Sequence, residues 1–474
     1  MNNHGWITWV VLLGAAGVLA AGPSAAWAQA TQPAGECDRT TLTADDINEF
    51  IKKTKQPVPW LKWGADARLR EVYGSNLVLF NKDNADHEDH FQRYRFRMWT
   101  TITPVKDVDV NLRLVFEPRH YCKPDSRSAW RYEEAIWDHF NVKWTHPFGV
   151  PVTATIGRQD IILGNGWLVL DGTPWDGSRT IFFDALRLTW DLKDLNTTVD
   201  TIYIDQKSQA DRHLDVMGDK EEPLTEADEH GFILYVTNKS LPKTQVDGYY
   251  IFKADNQNTN GDGGKFPVGW GWDQDIHTFG ARAVHAFTDQ LKGRAEFAQQ
   301  VGDRNRRDVC AFSVNTRMDY FLKDKWNNNF RAGYEYASGD DPGTADDEQF
   351  DRVWGRWPQF SELYVYPYAA ETRIAEVTNF HRIGGGWSCN PIQDLEVCAD
   401  YHLLFCDENS LSGNPGFSKG GCFRGQLLAL LMKHKLNEHI SQHVLTEFFF
   451  PGEYYDDTRN DPAAFLRYQV VFAW

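Results

Sequence analysis

The chain has 474 residues, 49 basic against 66 acidic side chains, a formal net charge of −17 and 14% aromatic residues, at a mean hydropathy of −0.52. That length admits two or three ordinary domains or one large β-architecture; the acidic balance argues against general nucleic-acid binding, and soluble enzymes are seldom both aromatic-rich and hydrophilic on average. A transmembrane β-barrel combines the two traits through aromatic girdles, an apolar outer face, a wet interior and long polar loops.

At the N-terminus an apolar stretch from Ile7 to Gly22 is followed by Ala26-Trp27-Ala28 and Gln29, which predicts a secretory signal over residues 1–28. Residues 29–59 read as a periplasmic segment. Within it TADDINEFIKKTKQ predicts a short helix with Thr43 as N-cap and Asp45 and Asp46 in its first turn. Pro57 and Pro59 end that helix, and a barrel is expected over residues 60–474. After Gly22 no run of eighteen apolar residues appears, so a chain that crosses a bilayer here must do so with strands.

From Trp60 onward a period of two takes over. Leu61, Trp63, Ala65, Ala67 and Leu69 share one parity; Lys62, Gly64, Asp66, Arg68 and Arg70 share the other. In FQRYRFRMWTTI the apolar side is Tyr94, Phe96, Met98 and Ile102, and Arg93, Arg95 and Arg97 stand in a row opposite. An arginine turned to lipid near the bilayer midplane costs roughly 2–4 kcal/mol, so the apolar side must meet lipid and the arginines the interior. VDVNLRLVFEPR repeats the division, with Val108, Val110, Leu112, Leu114 and Phe116 against Asp109, Asn111, Arg113, Glu117 and Arg119.

Further strands are predicted near 135–145, 151–159, 181–191, 197–206, 229–238, 245–255, 276–287, 290–301, 311–321, 328–337, 378–388, 394–405, 423–433, 438–449 and 463–474. The total is about eighteen, in an all-β, even-numbered antiparallel barrel. PVKD, THPFG and the turn around Asp194 are short connections, whereas 74–89, 120–134, 160–180, 207–228, 256–275, 338–377 and 406–422 are long. This alternation matches short periplasmic turns and long external loops. Strands 197–206, 229–238 and 423–433 carry apolar residues on both parities, which leaves their registers open.

The closing segment is AAFLRYQVVFAW. Leu466, Tyr468, Val470, Phe472 and Trp474 alternate with Phe465, Arg467, Gln469, Val471 and Ala473, a pattern suited to a wall between lipid and water. Seven cysteines are an odd set for an exported chain. Cys389 with Cys398 and Cys406 with Cys422 each bracket a predicted hairpin connection, and both pairs suit disulfides in an oxidising compartment. No CxxC is present and the nearby His residues lack ligand spacing, so no metal is expected. Neither a nucleotide-binding glycine loop nor a nucleophile motif stands out, so neither a cofactor nor enzymatic activity is expected.

Between the fifth and sixth strands lies GRQDIILGNGWLVLDGTPWDGSRTIFFDALRLTWD. The order Gly157-Arg158-Gln159, a Gly/Trp-rich loop, Trp175-Asp176, Arg179, then Phe183-Asp184-Ala185-Leu186-Arg187 resembles the alginate export family of outer-membrane barrels. The resemblance implies a strongly positive pore that passes an anionic uronic-acid polysaccharide, and it adds Arg158, Arg179 and Asp184 to the expected pore residues. Arg158 shares parity with outward Val152 and Ile156, so either that strand ends before it or a bulge re-aims it. Exporters of this family fold a long periplasmic turn into the lumen; here the matching connection, around Lys435 to Glu438, is short. The external loops 120–134 and 338–377 are the expected alternatives for occluding the pore.

Parity assigns to the lumen Arg68, Arg93, Arg95, Arg97, Arg113, Arg119, Lys143, Arg187, Arg282, Arg294, Arg317, Arg331, Arg382 and Arg467. Arginine offers carboxylate a planar, permanently charged fork, and a conduit needs many weak sites, because one tight site would stop the chain. Inward Asp66, Asp109, Glu117, Glu296, Asp319 and Glu335 are available as partners, so each arginine is either a pore cation or half of a structural ladder. As a set the arginines outnumber these carboxylates, and the acidic excess falls in loops such as Asp346-Asp347-Glu348. The expected function is passive export of an alginate-like anionic polysaccharide across the outer membrane by a monomeric barrel. Its expected partners are outer-membrane lipid, the barrel-assembly machinery and periplasmic scaffold proteins. The alternative is an anion-selective porin for small sugar acids or other anionic solutes.

Overall fold

The computed structural model describes residues 44–132, 134–170, 182–208, 225–257, 271–372 and 377–474, with residues 214, 217 and 218. The expected signal, Cys37, Thr43, Trp175-Asp176 and Arg179 lie outside the described residues. The chain divides into a unit ending at Phe50 and a second unit, Ile51–Trp474. Helix α1, Ala44–Lys55, is the short helix expected before the barrel, and it gathers Lys52, Lys53 and Lys55 in its last turn, where cations meet the negative end of the helix dipole.

Twenty strands in the second unit form one antiparallel sheet. They are β1 (Leu61–Ser75), β2 (Glu88–Val105), β3 (Val108–Phe116), β4 (Arg119–Lys123), β5 (Ala129–Arg131), β6 (Ala135–Thr145), β7 (Val152–Gln159), β8 (Phe183–Leu192), β9 (Thr197–Gln206) and β10 (Ala227–Asn238). The remainder are β11 (Thr244–Gln257), β12 (Gln274–Ala286), β13 (Leu291–Arg304), β14 (Arg307–Phe321), β15 (Asn329–Ala337), β16 (Phe380–Cys389), β17 (Leu395–Phe405), β18 (Phe423–Lys435), β19 (Ile440–Pro451) and β20 (Ala463–Ala473). Because β4 and β5 only prolong the staves begun by β3 and β6, the wall is an eighteen-strand barrel. It closes where β20 pairs with β1, from Asp66 opposite Ala473 to Ser75 opposite Ala464. Closure leaves no strand edge without a hydrogen-bond partner in lipid.

The period of two sorts the side chains as two solvents require. Phe96 and Met98 are exposed on the outer face while Arg93 and Arg95, on the same strand, are buried. At the end where the short turns gather, Trp474 stacks on Trp63 with centroids 6.4 Å apart, and its N–H donates to the Ala65 carbonyl at 2.8 Å.

The three strands with apolar residues on both parities have an inner face covered by protein. Ile202 and Ile204 of β9, Ile233 and Tyr235 of β10 and Leu427 of β18 share one core with Trp167, Leu168 and Val169. The connection between β15 and β16 completes that core with Phe350, Val353, Trp354, Leu363, Tyr364 and Tyr368, and it contains helix α2, Val365–Thr372. Of the two loops proposed to occlude the pore, 338–377 turns inward, while 120–134 supplies β4 and β5 to the wall.

The expected Cys389–Cys398 disulfide is not made. The β16–β17 register sets Cys398 opposite Ser388 and Cys389 opposite Val397, one residue out of step, so their side chains leave opposite faces of the sheet. Cys406 and Cys422 do meet, the Cys406 N–H donating to the Cys422 carbonyl at 2.7 Å, but as thiols; all six described cysteines are free.

Candidate functional site in the barrel lumen

Charge pairs tie the infolded connection to the wall on several sides. The Trp354 indole donates to Glu229 at 3.1 Å, and Arg356 pairs with Glu229 and, at 3.1 Å, with Glu226. Burial works against the Arg356 charge, yet Glu229 and Glu226 raise its pKa above the ordinary arginine value. Glu335 of β15 receives Arg352 at 2.6 Å and the Trp167 indole at 2.9 Å. Across the lumen Glu371 of α2 meets Arg424 at 2.5 Å, Glu447 accepts the Leu363 N–H at 2.6 Å, and Glu362 pairs with Arg467. Removing one partner of such a buried pair costs about 3–5 kcal/mol, so the loop is a fixed part of the lumen.

Beside it remains a cavity of about 1270 Å³, bordered among the described residues by thirteen arginines and Lys433 against seven carboxylates. Arg68, Arg93, Arg95, Arg97, Arg113, Arg294, Arg317, Arg331, Arg382 and Arg467 border this space. A second cavity of about 750 Å³ is lined by Arg97, Arg113, Lys143 and Arg187 with threonines and asparagines between them. Of the fourteen residues assigned to the lumen by parity, twelve thus border one of these two spaces.

Among the described residues, four that were assigned to the pore border neither cavity. Arg282 is held by Asp247 at 2.5 Å and by Asn165, in the connection after β7, at 2.9 Å. Arg119, in β4, lies 3.7 Å from Glu117. Arg158 forks onto Asp184 at 2.9 and 3.0 Å, donates to the Trp137 carbonyl at 3.0 Å, and lies 3.7 Å over the Phe182 ring. Neither the strand end nor the bulge expected near Arg158 occurs. β7 runs on to Gln159 with Arg158 opposite both Phe140 and Asp184 and no register shift. Gly157 makes this possible: it sits at φ +110°, and a Cβ there would meet the Phe140 carbonyl at 2.4 Å. Arg158 and Asp184 thus pair in the wall instead of lining the pore.

Most lining arginines are also half of a pair. Glu117 receives Arg68 at 2.5 Å and Arg93 at 2.9 Å, and Asp66 receives Arg97 at 2.6 Å and Arg95 at 3.3 Å. Arg113 reaches Asp138 at 2.8 Å and Asp160 at 2.9 Å, Arg187 reaches Asp200 at 2.8 Å, Arg331 reaches Asp400 at 2.6 Å and Arg382 reaches Glu335 at 2.7 Å. The pore and ladder readings are compatible, because one carboxylate often serves two arginines. Asp66 and Glu117 are buried and border neither cavity, so the arginines stand between them and the open space. Arg70, Arg352, Arg356 and Lys433 also border the larger cavity. Arg70 was legible from its parity with Arg68; Arg352 and Arg356 lie in a connection without any period, where only the basic–aromatic run RVWGRW marks them.

A closed barrel with an apolar outer face and a charged lumen has the architecture of an outer-membrane channel. Solved structures from Pseudomonas aeruginosa share the fold. OpdQ matches with a TM-score of 0.55 at 11% identity over 87% of this chain and 97% of that one. OpdK, solved with vanillate, gives 0.54 at 11% over 87% and 98%, and OpdO gives 0.52 at 12% over 87% and 97%. No curated protein matches the sequence. The alginate export family matches over residues 59–468, and the chain belongs to that family.

Proposed function

We propose that this channel passes an anionic, uronic-acid-rich polysaccharide outward by diffusion through the arginine-lined lumen. What carries the reading is the excess of thirteen arginines and a lysine over seven carboxylates around the larger cavity. A polyuronate bears roughly one carboxylate per sugar, and forks already half satisfied by wall carboxylates hold each one weakly enough to let it go. The barrel acts as a monomer and receives polymer from periplasmic scaffold proteins. The test is current through single barrels in planar bilayers. Oligouronates should block it reversibly at concentrations that leave neutral oligosaccharides of equal length without effect; equal block by both, or by neither, would overturn the proposal.

A second reading, passage of small sugar acids, is favoured by one observation. The connection 338–379 is pinned across the lumen by Glu362, Glu371 and Glu447 contacts, which suits single sugars better than a moving polymer. Polymer passage that appears only when Glu362 and Glu371 are changed to Gln would favour this alternative for the unaltered barrel.

A further inference from the structure

Among the described residues, three rungs that face the larger cavity with both members set one arginine directly opposite another: Arg68 opposite Arg95, Arg70 opposite Arg93, and Arg294 opposite Arg317. Like charges facing each other across a strand pair repel, and arginine cannot relieve this by losing its proton. In the first two rungs Glu117 and Asp66 supply buried negative charge to Arg68, Arg93 and Arg95. The third is different. Arg317 forks onto Asp319 at 2.5 and 2.9 Å, but Arg294 makes no hydrogen bond or ion pair among the described residues, and its Nε is buried without an acceptor. Glu296, two residues along the same face of β13, accepts the Tyr249 hydroxyl at 3.1 Å and lies 3.8 Å from the Arg282 Nε.

We infer that Arg294 and Arg317 form a carboxylate-binding subsite on the short-turn side of the cavity, taking the carboxylate of a sugar acid or of one uronate unit in a chain. Both arginines border the larger cavity, and β13 and β14 hold Arg294 three residues from Leu291 and Arg317 four residues from Phe321, the ends that meet the turns at 287–290 and 322–328. A carboxylate held there supplies Arg294 with the acceptor that Arg317 already has in Asp319. Its planar oxygens match the guanidinium fork, which a spherical anion cannot do. This inference rests on the proposed anion passage.

The experiment is block of the full barrel in a planar bilayer by a uronate trisaccharide added from the short-turn side, with chloride selectivity measured on the same channels. In Arg294→Gln the blocking concentration should rise about tenfold, the loss of one charge-assisted fork, a larger factor than the loss of one lining charge takes from chloride selectivity. Arg294→Lys, which keeps the charge without the fork, should fall between the two and carries the test should the glutamine variant not assemble. Unchanged block in these variants, or a loss of block matched by an equal loss of chloride selectivity, overturns the subsite and leaves the proposed passage standing. If the unaltered barrel is not blocked at all, both fall.

Discussion

Two parts of the barrel wall face the lumen in opposite ways. β1 and β2 present Arg68, Arg70, Arg93 and Arg95, all buried against their neighbours yet bordering open space. β9 to β11 present Ile202, Ile204, Ile233, Tyr235, Tyr249 and Ile251, packed into one core with the infolded connections. The strand geometry is the same in both, since each alternates with a period of two and turns its other face to lipid. The difference lies in what stands opposite. Where water fills the lumen, the inner face is charged and backed by wall carboxylates; where protein fills it, the inner face is apolar. The inward chemistry of a strand therefore records the course of a loop far away in sequence.

The contrast can be broken from either side. The largest effect is expected from moving the wet chemistry into the dry wall: Ile204→Arg buries a charge without a partner and should lower stability by about 3–5 kcal/mol, read as the urea midpoint of the barrel in lipid vesicles. Trimming the dry wall comes next. Ile233→Ala leaves a cavity against the infolded connection and should cost about 2–4 kcal/mol; it should also make single-channel current noisier as that connection loosens. The smallest effect belongs to the wet wall. Arg95→Gln removes one partner of Asp66 while Arg97 stays at 2.6 Å, so the loss should be about 1 kcal/mol, with a measurable drop in anion selectivity. A result in which Arg95→Gln costs more stability than Ile233→Ala would mean that the arginine row is chiefly structural.

Much of this was legible in the sequence because lipid and water impose a period of two that nothing else in the chain obscures. The arginine row of β2, the closing strand and the alternation of short and long connections all followed from it. What escaped is what the period does not encode. The apolar residues on both faces of 197–206 and 229–238 blurred the register, yet that blur was the imprint of residues 350–368 on the wall. Arg352 and Arg356 sit in that connection, where no repeat reveals direction. Arg158 obeyed its parity, and the bulge invoked to turn it inward does not exist. The Cys389–Cys398 pair failed by a single residue of register, set by the geometry of the turn between β16 and β17 and not by the spacing of the cysteines.

The most direct test of the account is the reversal potential of the refolded barrel in a salt gradient, comparing the unaltered chain with one in which Arg93, Arg95 and Arg97 are changed together to Ser. The account predicts anion selectivity that falls or reverses in the triple variant, because Asp66 then loses the two arginines that stand between it and the cavity. Cation selectivity in the unaltered barrel, or an identical reversal potential in the two, would contradict it and reduce the arginine row to a ladder that only holds the wall together.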